Sequence, residues 1–194
     1  FELIPGSVFG RDCLRFKNAP ATLRTLFADT CSDAPFLVYG DERLNFAETY
    51  VAAARVATVL VNDYSIKRGD RVAISMRNYP EWILSFMAVT AVGGIAVAMN
   101  ALWRPDEMAF GLSDSGAKVL IADQERLDRF AEISPALDIQ VIAVRVEATD
   151  HANLADLVSA YADVTEMPAQ APEPEDDATL MYTSGSTGNP KGVA

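Results

Sequence analysis

Histidine and cysteine are nearly missing from this 194-residue chain, which has one of the former and two of the latter. A metal centre built on these ligands needs several of them at fixed spacing, and Cys13 and Cys31 show no such spacing. The same two thiols suit unpaired side chains in a reducing cytoplasm better than a disulfide framework. Positive charge is scarce as well: 16 Lys and Arg stand against 27 Asp and Glu, a formal net charge of −11. Nucleic-acid binding draws on clustered cations that release phosphate counterions, and no such cluster is present, so nucleic acid is excluded as a partner. Long apolar runs are rare. Trp82 to Met99 is eighteen residues without a charge, but Gly93-Gly94 interrupts it, and it divides into a helix, a break and a strand. No transmembrane segment is expected. The opening Phe1-Glu2-Leu3-Ile4-Pro5-Gly6 has neither a basic start nor a long apolar core, so no signal peptide is expected either.

What the chain does have is the balance of a soluble globular protein, 50% hydrophobic and 22% charged, which is enough to bury a sizeable core. Its acidity serves solubility, and it makes a lysine inside a glycine-rich loop more informative than its neighbours.

The first nineteen residues show no clear period and are expected to wrap the surface. Periodicity then predicts a helix over 21–31, a strand over 36–39 with a hairpin partner over 43–46, and a helix over 47–63. Strands follow at 71–76, 95–99, 118–122 and 139–144. Helices are expected at 81–92, 105–112, 124–133 and 154–161. Asn78 is the expected cap of the helix that opens with Pro80, Gly116 is the expected stop of the fourth, and Asn153 or Asp150 the cap of the last. Strands alternating with helices of this length imply an α/β fold with a mostly parallel sheet flanked by helices. Three stretches are distinguished: 1–164 as α/β domain, 165–177 as an acidic, proline-rich surface linker, and 178–194 as a strand entering a loop.

That loop reads Thr183-Ser184-Gly185-Ser186-Thr187-Gly188-Asn189-Pro190-Lys191-Gly192. Phosphate oxygens are held by converging N–H groups, small hydroxyls and a cation. Gly185, Gly188 and Gly192 let backbone approach an anion, and Thr183, Ser184, Ser186 and Thr187 supply hydroxyls. Lys191 adds a compact charge whose approach Pro190 stiffens. Three familiar patterns fail. A Walker loop needs Gly-Lys followed by Ser or Thr, whereas Lys191 sits between Pro190 and Gly192. The glycine spacing departs from the dinucleotide fingerprint, and Ser186 lacks the flanking glycine of a nucleophile elbow.

The stretch Met181 to Val193 resembles the phosphate-loop signature of the AMP-binding, acyl-adenylate-forming family, which includes acyl-CoA synthetases, luciferases and peptide-synthetase adenylation domains. Gly69-Asp70-Arg71-Val72-Ala73-Ile74, Asn78-Tyr79-Pro80-Glu81-Trp82, Gly93 through Asn100, Arg104-Pro105-Asp106-Glu107 and Asp114-Ser115-Gly116-Ala117-Lys118 continue the likeness, which runs from about Leu37 to the end. Asn100 leans toward CoA ligases within that family. The resemblance implies part of the large N-terminal domain of the adenylate-forming fold. It also implies ATP-dependent activation of a carboxylic acid through an acyl-adenylate, then transfer to coenzyme A, in the cytoplasm. ATP with Mg²⁺ and coenzyme A would be the small-molecule partners. Thr183, Ser184, Gly185, Ser186, Thr187, Gly188 and Lys191 would contact phosphates, and Thr183 would also assist the magnesium ion. No catalytic residue is assigned. The family's adenine, ribose and acyl-pocket motifs would lie beyond Ala194, so this stretch alone is expected to be inactive, and fatty, aryl and amino acids stay open as substrates. Loading of a carrier protein, or a non-catalytic nucleotide-binding role, are the alternatives.

Several residues invite a role and are assigned none. His151 beside Asp150 lies in a polar connection far from the loop. Trp82 and Trp103 are expected to pack and not to stack on a base. The acidic run Glu173 to Asp177, full of proline, reads as solvated and not as a metal site.

Overall fold

Strands and helices alternate along most of the chain as the hydrophobic periods predict. The computed structural model describes residues 2–8, 10–133, 137–147, 150–183 and 190–194. The first nineteen residues depart from expectation: they hold a hairpin, β1 (Leu3–Val8) and β2 (Arg11–Phe16), with Leu3 opposite Phe16 and Pro5 opposite Leu14. Leu3, Leu14 and Phe16 stay at least half exposed. A ribbon exposed on both faces has no reason to alternate apolar with polar residues, so it carries no period-two signal. Helix α1 (Leu23–Asp29) and a second hairpin, β3 (Pro35–Tyr39) with β4 (Glu42–Asn45), follow.

Helix α2 (Phe46–Asn62) starts at a capping box: the Asn45 side chain accepts from the Glu48 N–H at 2.7 Å, and Glu48 accepts from the Asn45 N–H at 2.9 Å. Its buried face is Ala53, Ala54, Val56, Ala57, Val59 and Leu60, small enough for close packing on the sheet. After β5 (Arg71–Ser75), helix α3 (Pro80–Ala91) begins directly at its proline. Tyr79 is therefore the residue at the cap, extended as residues before proline must be, and it makes no side-chain cap bond. Asn78, the expected cap, lies one position too early. Then come β6 (Ile95–Ala98), α4 (Pro105–Ser115), β7 (Val119–Asp123), α5 (Gln124–Ala131), β8 (Gln140–Val144), β9 (Ala152–Asn153) and α6 (Leu154–Ser159). Helix α4 stops at Gly116, left-handed at φ 59, and Asn153 caps α6. The chain ends with β10 (Thr179–Thr183) and β11 (Lys191–Val193).

Seven strands make one sheet in the order β11-β10-β6-β5-β7-β8-β9, parallel except where β11 runs antiparallel to β10. Both faces of its centre are covered. Val72, Ile74, Val119, Ile121 and Ile142 pack toward α2 and α3, while Ala73, Val97, Leu120, Ala122 and Ala143 pack toward α4 and α5. That double burial explains why these strands read as unbroken apolar runs.

Residues 165–177 hold neither helix nor ladder, yet they are pinned to the body of the protein and are not a solvated tether. Met167 is buried. The Arg24 guanidinium donates to the carbonyls of Pro168 and Gln170 at 2.8 Å and of Ala91 at 3.3 Å. The Gln170 amide donates to the Val92 carbonyl at 2.7 Å, and Arg68 makes a forked pair with Asp176. We expect Arg24→Ala to cost about 1–3 kcal/mol, because part-buried carbonyls lose a charged donor. Limited proteolysis should then cut first between residues 165 and 177, and an unchanged cleavage pattern would refute the role given to Arg24.

Candidate functional site

A β-strand sends successive side chains to opposite faces, and β10 uses this to present one face while anchoring the other. Leu180 and Tyr182 face the layer of α4 and α5. The Tyr182 ring meets the buried Trp103 edge-on at 5.4 Å, and its hydroxyl donates to the Asp114 carboxylate at 2.7 Å. Burial first, and then the Asp114 carboxylate, push the Tyr182 phenol well above its ordinary pKa, so it stays a neutral donor at physiological pH. The contact thus favours folding below the ordinary tyrosine pKa and is lost in strong alkali.

Thr183 lies on the opposite face and is paired with Lys191 across the β10–β11 ladder. Its hydroxyl is 3.5 Å from the Lys191 carbonyl oxygen, too long for a firm bond, which leaves it able to serve another acceptor. Both residues are exposed. Among the described residues no carboxylate pairs with the Lys191 ammonium. Ser184, Gly185, Ser186, Thr187 and Gly188 lie outside the described residues. The structure therefore brings together the two expected site residues that it does describe, at the mouth of a hairpin. Strand β11 was not foreseen, because three residues following a loop are too few to show a period.

Since β10 runs parallel to β6, that mouth lies at the carboxyl edge of the sheet, where ligands bind in open parallel α/β folds. The same edge holds a knot of charge that the sequence did not disclose. Asp123 caps α5, accepts from the Arg77 backbone N–H at 2.9 Å and pairs with the buried Arg126 at 3.3 Å. Arg126 and Arg129 both donate to the Ala101 carbonyl, and Arg129 also reaches the Trp103 carbonyl at 2.9 Å. The only trace of this in sequence is an Arg-x-x-Arg spacing, which an exposed helix would share.

Asn100 is exposed, and its side chain accepts from the Leu102 N–H at 2.9 Å, a local turn. Trp82 stacks on Phe86 at 5.6 Å and Trp103 packs as described, so both serve the core. His151 adjoins β9, at the opposite edge of the sheet from the hairpin. Cys13 and Cys31 are exposed and form no disulfide. Among the described residues no group of three or more His, Cys, Asp or Glu is placed to hold a metal ion, and no helix is long and apolar enough to cross a membrane. Among the described residues the Thr183 hydroxyl is a single oxygen donor, which could not hold a hard cation unaided.

Comparison with known proteins gives this geometry a context. A family model described as AMP-binding enzyme matches residues 25–194. The oxalate–CoA ligase of Arabidopsis thaliana is 35% identical over 161 residues, covering 80% of this chain and 30% of the relative. The long-chain-fatty-acid–CoA ligase FadD13 of Mycobacterium tuberculosis is 35% identical over 160 residues, covering 79% of this chain and 29% of the relative. In structure, the anthranilate CoA ligase AuaEII in complex with anthranoyl-AMP superposes with a TM-score of 0.83 at 25% identity, over 91% of this chain and 35% of that one. The Mycobacterium tuberculosis fatty acyl CoA synthetase superposes with a TM-score of 0.76 at 28% identity, over 89% of this chain and 34% of that one. The chain therefore spans about 30% of the length of the curated relatives it matches.

Gly111 in α4 leaves room for Trp103: a Cβ there would stand 2.5 Å from Cζ3 of the indole. Helix propensity alone favours alanine over glycine by about 1 kcal/mol, whereas overpacking a rigid buried ring costs about 1–3 kcal/mol. Gly111→Ala is expected to lower the urea midpoint. A raised midpoint would mean that Trp103 is not confined where it is described.

Proposed function

The chain belongs to the AMP-binding enzyme family, and on that premise we propose that the full-length protein activates a carboxylic acid with ATP and passes the acyl group to coenzyme A. In the first step a carboxylate oxygen attacks the α-phosphorus of Mg-ATP; the bond to the bridging oxygen breaks and pyrophosphate leaves. In the second, the coenzyme A thiol, losing its proton, attacks the acyl carbonyl and AMP departs. The observation that carries this reading is the pairing of Thr183 with Lys191 at the carboxyl edge of a parallel sheet, at the base of the hydroxyl- and glycine-rich loop. A hydroxyl without a firm partner and an ammonium without a carboxylate suit the β- and γ-phosphates, where charge builds as pyrophosphate leaves.

Ser184, Gly185, Ser186, Thr187 and Gly188 belong to the same proposed phosphate site, and Thr183 to the approach of the magnesium ion. Coenzyme A is proposed as acceptor because the relatives named above are CoA ligases. Their acids, oxalate and long-chain fatty acids, differ too much to choose one for this protein. A cytoplasmic site of action is proposed with the ATP and coenzyme A supply.

The test is carboxylate-dependent exchange of pyrophosphate into ATP by the full-length protein, followed by thioester formation on adding coenzyme A. Exchange without thioester, but with acylation of a carrier protein, would replace the acceptor. No exchange with fatty, aryl or amino acids would refute the reading. Lys191→Ala should slow exchange on the order of 10²-fold, as loss of one preorganised charge does. An unchanged rate would remove Lys191 from the phosphate site.

A further inference from the structure

Arg126 is an odd residue to bury. Its side chain is 1% exposed, and a guanidinium leaves water only when its donors find partners. It finds them on two sides. Its Nη1 donates to Glu125 at 2.8 Å and to both Asp123 oxygens at 3.3 Å, while its Nε donates to the Ala101 carbonyl at 2.9 Å and its Nη2 to the same oxygen. Arg129, one turn later, donates through a single nitrogen to the Ala101 carbonyl at 2.8 Å and to the Trp103 carbonyl at 2.9 Å, and its other nitrogen is held by Glu125.

These bonds converge on the loop that leaves β6. Within that loop the other bonds are a turn at Asn100 and a bond from the Trp103 N–H to the Asn100 carbonyl at 3.1 Å, and the Met99 N–H ties its start to the Ile74 carbonyl at 3.1 Å. It carries the indole against which Tyr182 rests, with Gly111 behind it. Tyr182 in turn fixes the facing of its neighbour Thr183, and through the ladder that of Lys191.

We propose that Arg126 and Arg129 are positioning residues for phosphate binding: through the Ala101 and Trp103 carbonyls they seat Trp103, which sets the tilt of the hairpin that presents Thr183 and Lys191. The proposal rests on the adenylation reading above. Neither arginine is assigned a contact with the nucleotide; each acts through the loop.

Two measurements on the full-length protein test it together. Hydrogen exchange read by mass spectrometry reports the loop itself, and exchange kinetics between pyrophosphate and ATP report the phosphate site. Arg129→Gln removes the Arg129 guanidinium from both carbonyls, and leaves Arg126 paired with Asp123 and bonded to Ala101. It should speed exchange in peptides spanning 99–104 and 180–183 while leaving those of β7 and β8 unchanged. It should also raise the KM for ATP roughly tenfold, with the KM of the acid unchanged at saturating ATP, as expected when a binding group is misplaced and not lost. Arg129→Lys, which keeps the charge and one donor nitrogen, should recover part of both effects. Unchanged amide exchange overturns the clamp. Faster exchange with an unaltered KM for ATP overturns its link to the phosphates, and so does an equal rise in both KM values. If Arg129→Gln fails to fold, Arg129→Lys carries the same two readouts. A wild-type protein that adenylates no acid refutes only the functional reading, and the amide-exchange arm then decides the clamp.

Discussion

The ladder between β10 and β6 is short, running from Thr179 opposite Ala96 to Met181 opposite Ala98, and the candidate site hangs from it. The preceding helix, α6, packs beside β8 and β9, toward the far edge of the sheet. The chain must therefore cross from one side of the sheet to the other before β10 can form. A crossing of that length loses conformational freedom, which local contacts have to offset. Arg24, Gln170 and the Arg68–Asp176 fork supply them, and the Ala96 N–H bond to the Ala178 carbonyl at 2.9 Å hands the strap to the ladder. Without that anchoring, β10 and its partner β11 would hang from the sheet by three residue pairs to β6, too little to fix the direction of a loop.

Charge is arranged against the grain of the whole molecule. With a formal net charge of −11, this stretch of chain would repel a polyphosphate at long range, so attraction within it has to be local. Most cations at the carboxyl edge are committed elsewhere. Arg77, Arg126 and Arg129 are shared with Asp123 and Glu125, Arg104 lies near Asp106 and Glu107, and Arg145 is held between Glu42 and Glu81 while lying over the rings of Tyr39 and Tyr79. The exposed pairs among these are screened by solvent and contribute little, whereas the buried Arg126–Asp123 contact would be costly to break from one side. Lys191 differs from all of them in having no carboxylate partner among the described residues.

The central sheet and its helices were legible because burial on one or both faces imprints a period, as along Val72-Ala73-Ile74 and the alanine face of α2. The loop over 183–192 is distinctive as a string of residue types, and the family it resembles is the one whose model matches residues 25–194. What escaped notice depends on contacts distant in sequence. Arg24 meets Gln170 across 146 positions and Tyr182 meets Asp114 across 68, and no local pattern announces either. The strap over 165–177 has the composition of a solvated linker; only its anchors change its character. The N-terminal hairpin was hidden for the opposite reason, because strands exposed on both faces leave no pattern to find. Asn78 was misplaced by a single position, since Pro80 starts the helix and leaves Tyr79 as the cap.

Alternation along β10 ties these threads into one constraint. Its neighbours Tyr182 and Thr183 cannot share a face, so anchoring the first in the α4 layer obliges the second to point away from it. A slip of one residue would carry Thr183 against Trp103 and take the Tyr182 phenol away from the Asp114 carboxylate that it meets on the core side. Register at the hairpin is thus set by what Tyr182 finds on the core side: the indole edge, the Asp114 carboxylate and the space that Gly111 leaves. Because the indole is carried by a loop that two arginines hold by its carbonyls, the clamp proposed above makes the facing of Thr183 and Lys191 depend on α5. Loss of the Arg129 guanidinium, which is only partly buried, would on that proposal be felt at the hairpin before it was felt in the core.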